Sequence, residues 1–427
     1  LAREIEKKYK INYMRDILQQ DRRLSAYFFA YAKKFIWKEN KFNADESYVK
    51  YINGYVKLVE SLLNKHKFDI ALVFPVNALS ATIASIFEAK NILVTYPYNS
   101  KYKSYSYWAN NAFQNSKKLK QSFDKVKINL NDFNINKEDI TPPETGWGDT
   151  RDMDKLYTYK AIFRNILKLS FFRLEFLFLD LIKFNFKSNR ISFWASVRFE
   201  INKFKTYKSF KSISEKNIKN FENKPFIFYA LSLEPEFSVQ GRSKEFNNQK
   251  TIIKQIAMNL PSGYELIIKE HSDIGRRDLS FYKEILLIPN IRMAHPSIRG
   301  VDLVKKARAV ATLAGTVSFE ATMLGKRVIE FSTHSSFSFL KNVTTITDFS
   351  RLGDDLNKAM EELDQEEIRA IKYDGRKLQE AIKNISFYAD NSPLFYGKKT
   401  HLDQSTIDRS ISLLLELYKE RKIKENV

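Results

Sequence analysis

The chain of 427 residues contains no cysteine. That excludes disulfides, thiolate metal sites and a cysteine nucleophile, and it fits a reducing compartment. Histidine is scarce, with five in the chain, and no His, Asp and Glu spacing matches a zinc site, so no metal is expected. Glycine (12) and proline (10) are both few for this length. The glycines form neither a G-x-G-x-x-G run nor a Walker A sequence. A dinucleotide-dependent dehydrogenase and a P-loop NTPase are therefore disfavoured, and no bound cofactor is expected. There is also no G-x-S-x-G nucleophile elbow. The longest apolar stretch, Leu167 to Phe184, is interrupted by Arg173, Glu175 and Asp180. A spanning helix needs about 20 nearly uncharged residues, so no transmembrane segment is expected. Because the chain begins at Leu1 rather than methionine, an N-terminal targeting signal is not legible from it.

What is present is a large apolar fraction and a strong positive balance. Hydrophobic residues make up 44% of the chain, enough for sizeable cores, and the length suits two domains. The formal charge of +21 points to anionic partners: nucleic acid, a membrane surface or phosphorylated substrates. A general richness in Lys, Asn, Ile and Phe is the bland explanation of the same number. The charge is uneven. Residues 155–220 hold 15 Lys or Arg against 4 Asp or Glu, a net of +11, together with 15 aromatic residues and no Pro or Gly. That composition favours helices.

Hydrophobic patterning divides the chain in three. Residues 1–66 read as helical. "FDIALVFPV" (Phe68–Val76) and "ILVTYPY" (Ile92–Tyr98) read as strands flanking a helix. "NSKYKSYSYWANN" reads as a loop over a cleft, and the Pro- and Gly-rich stretch at 134–154 as a boundary. From Pro225 strands and helices alternate: "PFIFYALS", "YELIIKEH", "IRMA", "RAVATL", "RVIEF" and "NVTTIT" as strands, with helices such as Lys244–Leu260, Gly300–Ala307 and Val317–Leu324 between them. Helices close the chain. This is an α/β chain with two Rossmann-type doubly wound units, residues 1–150 and 221–427, joined by a basic aromatic helical segment at 151–220.

Ligands of doubly wound sheets bind at the carboxyl ends of the strands. Those ends carry Glu234, Glu236, Ser238, Arg242, Lys269, Glu270, His271, His295, Gly315, Thr316, Ser318 and His334. Each has an ordinary reading beside the functional one. A histidine at a strand end is commonly a structural hydrogen-bonder, Glu236 could cap a turn, and Thr316 is a natural helix N-cap. The Gly315-Thr316 turn opens a helix, where free N–H groups and the dipole favour anions. Glu320 lies one helical turn further along the same face. A carboxylate there can reach a ribose hydroxyl pair while the turn holds phosphates.

Three segments in this order, "YALSLEPEFSVQG", "LPSGYELIIKEHSDIGRRDLSFYKEILLIPNIRMAHP" and "ATLAGTVSFEATMLGKRVIEF", resemble the capsule polysaccharide biosynthesis family of bacterial glycosyltransferases, which includes Kdo transferases of capsule assembly. The resemblance covers about residues 225–350, through a PE-x-S loop, a KEH strand end and a GT-x-x-x-EA-x-x-x-GK-x-V-I segment. Ser272 stands where the family usually has a proline. The resemblance implies a GT-B architecture of two Rossmann-type domains. It implies a nucleotide-sugar donor on the C-terminal domain, and a polysaccharide or lipid-linked glycan acceptor on the N-terminal one. It places Lys269, His271, Gly315, Thr316 and Glu320 at the donor site. Arg242, His295 and Ser318 join them as expected donor contacts, and Glu236 and His271 are the candidates for acid–base catalysis. The first strand of such an N-terminal domain is not evident in residues 1–66. A sugar-nucleotide epimerase of the same fold is the alternative enzyme. A non-catalytic protein bound to an anionic membrane or nucleic acid is the alternative outside enzymes, with nucleic acid the less expected. The expected location is the cytoplasm, with peripheral attachment to the inner face of the membrane through the basic segment.

Overall fold

The structure, a computed structural model, describes residues 1–21, 47–111, 117–129, 153–182, 193–234, 236, 238–313, 315–332, 334–389 and 403–425. In the N-terminal unit, helices Ala2–Tyr9 and Ser47–Lys65 pack on a small β-α-β. Strands β1 (Ile70–Leu72) and β2 (Leu93–Thr95) run parallel, joined by helix Ala78–Ala89. Asn77 caps that helix with a reciprocal bond to Ser80, satisfying donors that a helix start leaves open. Both strands are shorter than the apolar runs suggest. Pro75 cannot extend a ladder, and the second run is broken at Tyr96, after which the chain enters a different sheet.

That sheet corrects one expectation. The polar aromatic stretch read as a loop is a hairpin: β3 (Pro97–Asn99) pairs antiparallel with β4 (Tyr105–Trp108). Lys101 and Lys103 adopt positive φ to close the turn, while Tyr98, Tyr102 and Tyr107 are buried. Serine alternating with tyrosine over 104–107 was a strand pattern after all.

The C-terminal unit is a six-stranded, wholly parallel sheet: β5 (Phe226–Ala230), β6 (Glu265–Lys269), β7 (Ile291–Ala294), β8 (Ala309–Thr312), β9 (Arg327–Glu330) and β10 (Val343–Thr345). The spatial order is β10-β9-β8-β5-β6-β7. The chain starts in the middle, builds outward through β6 and β7, then crosses back to lay β8 against the other edge of β5. Every strand neighbour is parallel, so crossover helices cover both faces. This is why "FIFYA" and "AVAT" read as unbroken apolar runs and are buried or nearly so throughout. The order reverses between β5 and β8, which makes their carboxyl ends the topological switch point. The helix expected from Lys244 starts later, at Gln249, because the side chain of Asn248 caps it by accepting from Thr251 N–H; a single 3₁₀ turn fills Lys244–Phe246.

The segment between the units is helical as expected. Helices Tyr159–Ile182 and Phe193–Ile213 run antiparallel as a hairpin, with the rings of Tyr159 and Phe204 4.6 Å apart and Asn165 donating to Glu200. Its inner face belongs to the second unit: Tyr157, Tyr207 and Phe210 join the core of Ile227, Tyr229 and Tyr282. Beyond β10, helix Gln365–Ile385 leads to β11 (Phe387–Tyr388), which pairs with β4 of the first unit. Helix Gln404–Glu425 then lies across that unit, where its Ser410 carbonyl accepts from the Trp108 indole and its Tyr418 hydroxyl donates to Asp69. Two α/β units with the tail folded back on the first is the GT-B-like layout expected, although the first unit contributes only one β-α-β among the described residues. Residues 1–21 and 47–66 hold no strand, so the missing first strand is missing there too. Among the described residues, no helix is long and apolar enough to cross a membrane.

Candidate active site

At the switch point the ends of β5, β6, β8 and β9 come together. Lys269 is the last residue of β6, held in register between Ala230 and Ala294. Its amine is buried and donates to its neighbour's carbonyl, Glu270 O, at 3.3 Å. Burial pulls the amine down to about 8, with Glu270 and Glu320 acting against the drop. Glu320 stands in the first turn of helix Val317–Met323, its N–H bonded to Thr316 O. Burial pushes its carboxyl up to about 7, opposed by the charge of Lys269. An acid and an amine are thus both desolvated at one place, each countering the other's charge. Paired shifts of this kind are a signature of working sites.

His271 follows on the same strand end. Its Nδ1 accepts the backbone N–H of Asp273 at 3.1 Å, so the neutral ring carries its proton on Nε2. Burial lowers its pKa, against the carboxylates of Glu270, Glu236 and Asp273. At neutral pH the ring is therefore a hydrogen-bond donor through Nε2.

Beneath these residues lies a buried ionic network that fixes the loops. The Arg277 guanidinium, 1% exposed, donates to both carboxylate oxygens of Glu270 at 2.7 and 2.9 Å, lies 3.3 Å from Glu234, and donates to Ser232 O. Tyr282 donates its hydroxyl to Glu270, and Gln249 donates to Glu234. Because Glu270 accepts His271 N–H at 2.7 Å as well, one arginine ties the end of β5 to the end of β6 and orients the backbone at His271. A second buried acid, Glu330 at the end of β9, accepts from Ser318 and Ser335 and links the ends of β8 and β9. Nothing in the sequence separates Arg277 from Arg276, which pairs with Asp273 at the surface. Glu330 left a trace, an acid inside the apolar strand "RVIEF".

Several expected contacts sit elsewhere. Ser318 is 0% exposed and spends its hydroxyl on Glu330, so it supports the Gly315-Thr316 turn and does not face a ligand. His295 is 2% exposed; its Nδ1 lies 2.7 Å from Ser297 Oγ and its ring packs on Tyr207. It anchors the helical hairpin to β7. Arg242 is buried between the units, donating to the Tyr98 hydroxyl at 2.6 Å and stacking over the same ring at 4.1 Å. It clamps the β3–β4 hairpin to the second unit, helped by Tyr102 against Phe319. Thr316 opens its helix without a side-chain cap bond, because its backbone is already helical. Gly315 is tight: a Cβ there would stand 2.9 Å from Thr312 Oγ1. That hydroxyl is buried and has no hydrogen-bond partner among the described residues. Glu236 is half-buried, and its carbonyl starts the wide turn Ser238–Arg242 by accepting from Val239 and Gln240. Pro235 and Phe237 lie outside the described residues, as does the side chain of Ser238. Among the described residues, no group of three or more His, Asp or Glu side chains is placed to hold a metal ion.

No protein-family model matches the sequence, and no curated protein does. Among solved structures the chain is similar, at 14% identity and a TM-score of 0.28, to the calicheamicin glycosyltransferase CalG4, over 42% of this chain and 44% of that one. It is similar at 15% identity and a TM-score of 0.26 to KpsC of Thermosulfurimonas dismutans, a beta Kdo 2,7 transferase, over 48% and 57%. A Listeria monocytogenes protein described as a candidate UDP-N-acetylglucosamine 2-epimerase aligns over 85% and 82%, at 13% identity and a TM-score of 0.29. The chain thus spans about half the length of the first two. Superpositions this loose carry no argument about activity.

Proposed function

We propose that the chain is a glycosyltransferase that takes a sugar from a nucleotide donor bound at the switch point of the second unit. The acceptor is a capsular or other surface glycan, polymeric or lipid-linked. The observation that carries this reading is the desolvated Lys269–Glu320 pair beside the Gly315-Thr316 turn. Breaking a bond to a nucleotide phosphate needs a cation and N–H donors where negative charge grows. Lys269, still largely protonated at neutral pH, supplies the cation. The turn at Gly315 supplies backbone donors, and the unpartnered Thr312 hydroxyl lies against it. Glu320, near 7, accepts from the ribose hydroxyls. The Nε2–H of His271 donates to the leaving phosphate, which leaves Glu236 as the base for the acceptor hydroxyl. These groups stabilise the leaving nucleotide directly, so the chemistry assigned to them runs through no metal.

Thermal shift against CMP-, UDP-, GDP- and CDP-sugars tests the reading. One donor class should stabilise the protein, and Lys269→Ala and Glu320→Ala should each abolish that shift. No stabilisation by any donor would overturn the assignment. Product formed from the nucleotide sugar alone, with no acceptor, would replace transfer by epimerisation.

A further inference from the structure

Among the described residues, helices Tyr159–Ile182 and Phe193–Ile213 carry an outer face that nothing covers. On its first helix Tyr159, Phe163, Leu167, Phe171 and Leu174 follow at steps of four, four, four and three, which puts them on one stripe. Each is between 43% and 76% exposed. Among the described side chains of the second helix, Trp194 and Ile201, seven residues apart, are the exposed large apolar residues. An apolar stripe from Tyr159 to Leu174, about 23 Å at 1.5 Å per residue, marks a contact surface rather than scattered exposure.

The charges around it say what it contacts. Lys160, Arg164 and Lys168, all exposed, repeat the four-residue step beside the stripe, and Arg198, Lys205 and Lys208 are exposed on the second helix. Lys208 Nζ lies 5.8 Å from the Tyr159 ring and 5.4 Å from Phe204, so cations and rings interleave. Among the described side chains of the two helices one carboxylate occurs, Glu200, and it is taken by Asn165 and Lys203. A second copy would set the exposed Lys160, Arg164 and Lys168 against their own counterparts and be repelled. A convex ridge with Leu167 and Leu174 among its rings offers nucleic acid no groove and an interrupted stacking platform.

We propose that this face docks on an anionic lipid bilayer, the apolar stripe entering the headgroup boundary and the flanking cations meeting lipid phosphates. The proposal does not rest on the glycosyltransferase reading. It does place the candidate site next to the membrane, because the hairpin grips the loop that follows His271. Tyr157 donates to Ser272 O at 3.4 Å, Asn202 donates to Gly275 O at 2.8 Å, and Lys203 lies 3.9 Å from Asp273. Gly275 is pressed so close to Lys203 that a Cβ would stand 2.6 Å from its backbone.

The test is flotation of the full chain with vesicles of phosphatidylcholine alone, and of phosphatidylcholine carrying about a quarter phosphatidylglycerol. The chain should float with the anionic vesicles, weakly with the neutral ones, and less at high salt. Phe163→Ser with Phe171→Ser should weaken partitioning at least about tenfold. Lys160→Glu with Arg164→Glu and Lys168→Glu should weaken it on the order of a hundredfold. All five positions are exposed, so circular dichroism and the melting midpoint should be unchanged in both variants. Failure of the native chain to float with anionic vesicles overturns the proposal. So does flotation that both variants retain, or self-association that both variants abolish in a chain that binds no vesicle. Donor stabilisation is read separately, so it can fail or survive independently of flotation.

Discussion

Replacing Glu320 by glutamine should make the protein more stable. The carboxyl is held near 7 by burial, against an ordinary value of 4.5. Keeping it ionised therefore costs roughly 3 kcal/mol at about 1.4 kcal/mol per pKa unit. Glu320 keeps some solvent contact, and glutamine forfeits the attraction to Lys269, so about 1–2 kcal/mol is the expected net gain. The sign follows from proton binding. The native state holds this proton longer than the unfolded chain does. Its contribution is therefore fully present below about pH 4.5 and is lost as pH rises through about 7. Glutamine does not titrate. Its advantage over the native chain should be small near pH 4.5 and complete by about pH 8. Urea unfolding of both proteins at those two pH values measures it. The same substitution should weaken nucleotide-sugar binding about tenfold, the familiar exchange of stability for function at a strained site. A variant that is less stable at pH 8, or whose advantage ignores pH, would refute the reasoning: Glu320 would then be a satisfied structural acid.

Arg277→Met should cost about 3–5 kcal/mol in urea unfolding, because it strands Glu234 and Glu270 in the interior; adding Glu234→Gln should recover part of that, and a loss under about 1 kcal/mol would show the network to be marginal. Tyr98 should titrate near pH 8 by tyrosinate absorbance. Its burial raises the phenol, but the Arg242 and Lys101 cations and the Ser336 hydroxyl outweigh it and bring the value to about 8. This folded value is depressed, so its stabilising share is complete above about pH 10 and is lost as pH falls through about 8. Arg242→Met should move the inflection above about 10, and a native protein with no inflection near 8 would contradict the interdomain clamp. Gly315→Ala should shift the turn away from Thr312, cost about 1 kcal/mol of stability, and weaken nucleotide-sugar binding about tenfold by calorimetry; unchanged affinity would remove the turn from the site.

Much of the fold was legible because the second unit obeys simple patterning. Parallel strands buried on both faces must be continuous apolar runs, and "FIFYA", "LIIK" and "AVAT" are such runs. Strand ends then offered Lys269, His271 and Gly315 as candidates, with Glu320 one helical turn further on, without any knowledge of which strands are neighbours. The first unit was less legible for a physical reason. Its hairpin buries tyrosines, and the Tyr98 hydroxyl finds its partners, Arg242 and Ser336, across the interface. Tyrosine and serine in a row look polar until that partner surface exists. His295 and Ser318 were misplaced for the converse reason: a strand-end position does not say whether a side chain turns toward the crevice or back under the neighbouring loop.

Strand order is the information that one-dimensional patterning lacks, and it decides among the candidates. Five strand ends carry polar groups, but the sheet reverses direction at one place, between β5 and β8. Helices on either side of that reversal lie on opposite faces and leave a crevice there. Lys269 and Glu320 are far apart in the chain and each looks unremarkable alone. Brought to the two flanks of the reversal, they share one desolvated space and counter each other's charge. A structural ion pair would be expected to close to contact distance and bring each pKa back toward the charged form. These two stay short of a salt bridge, with the amine lowered and the acid raised. A phosphate on Lys269 and hydroxyls on Glu320, as proposed above, would compensate both charges.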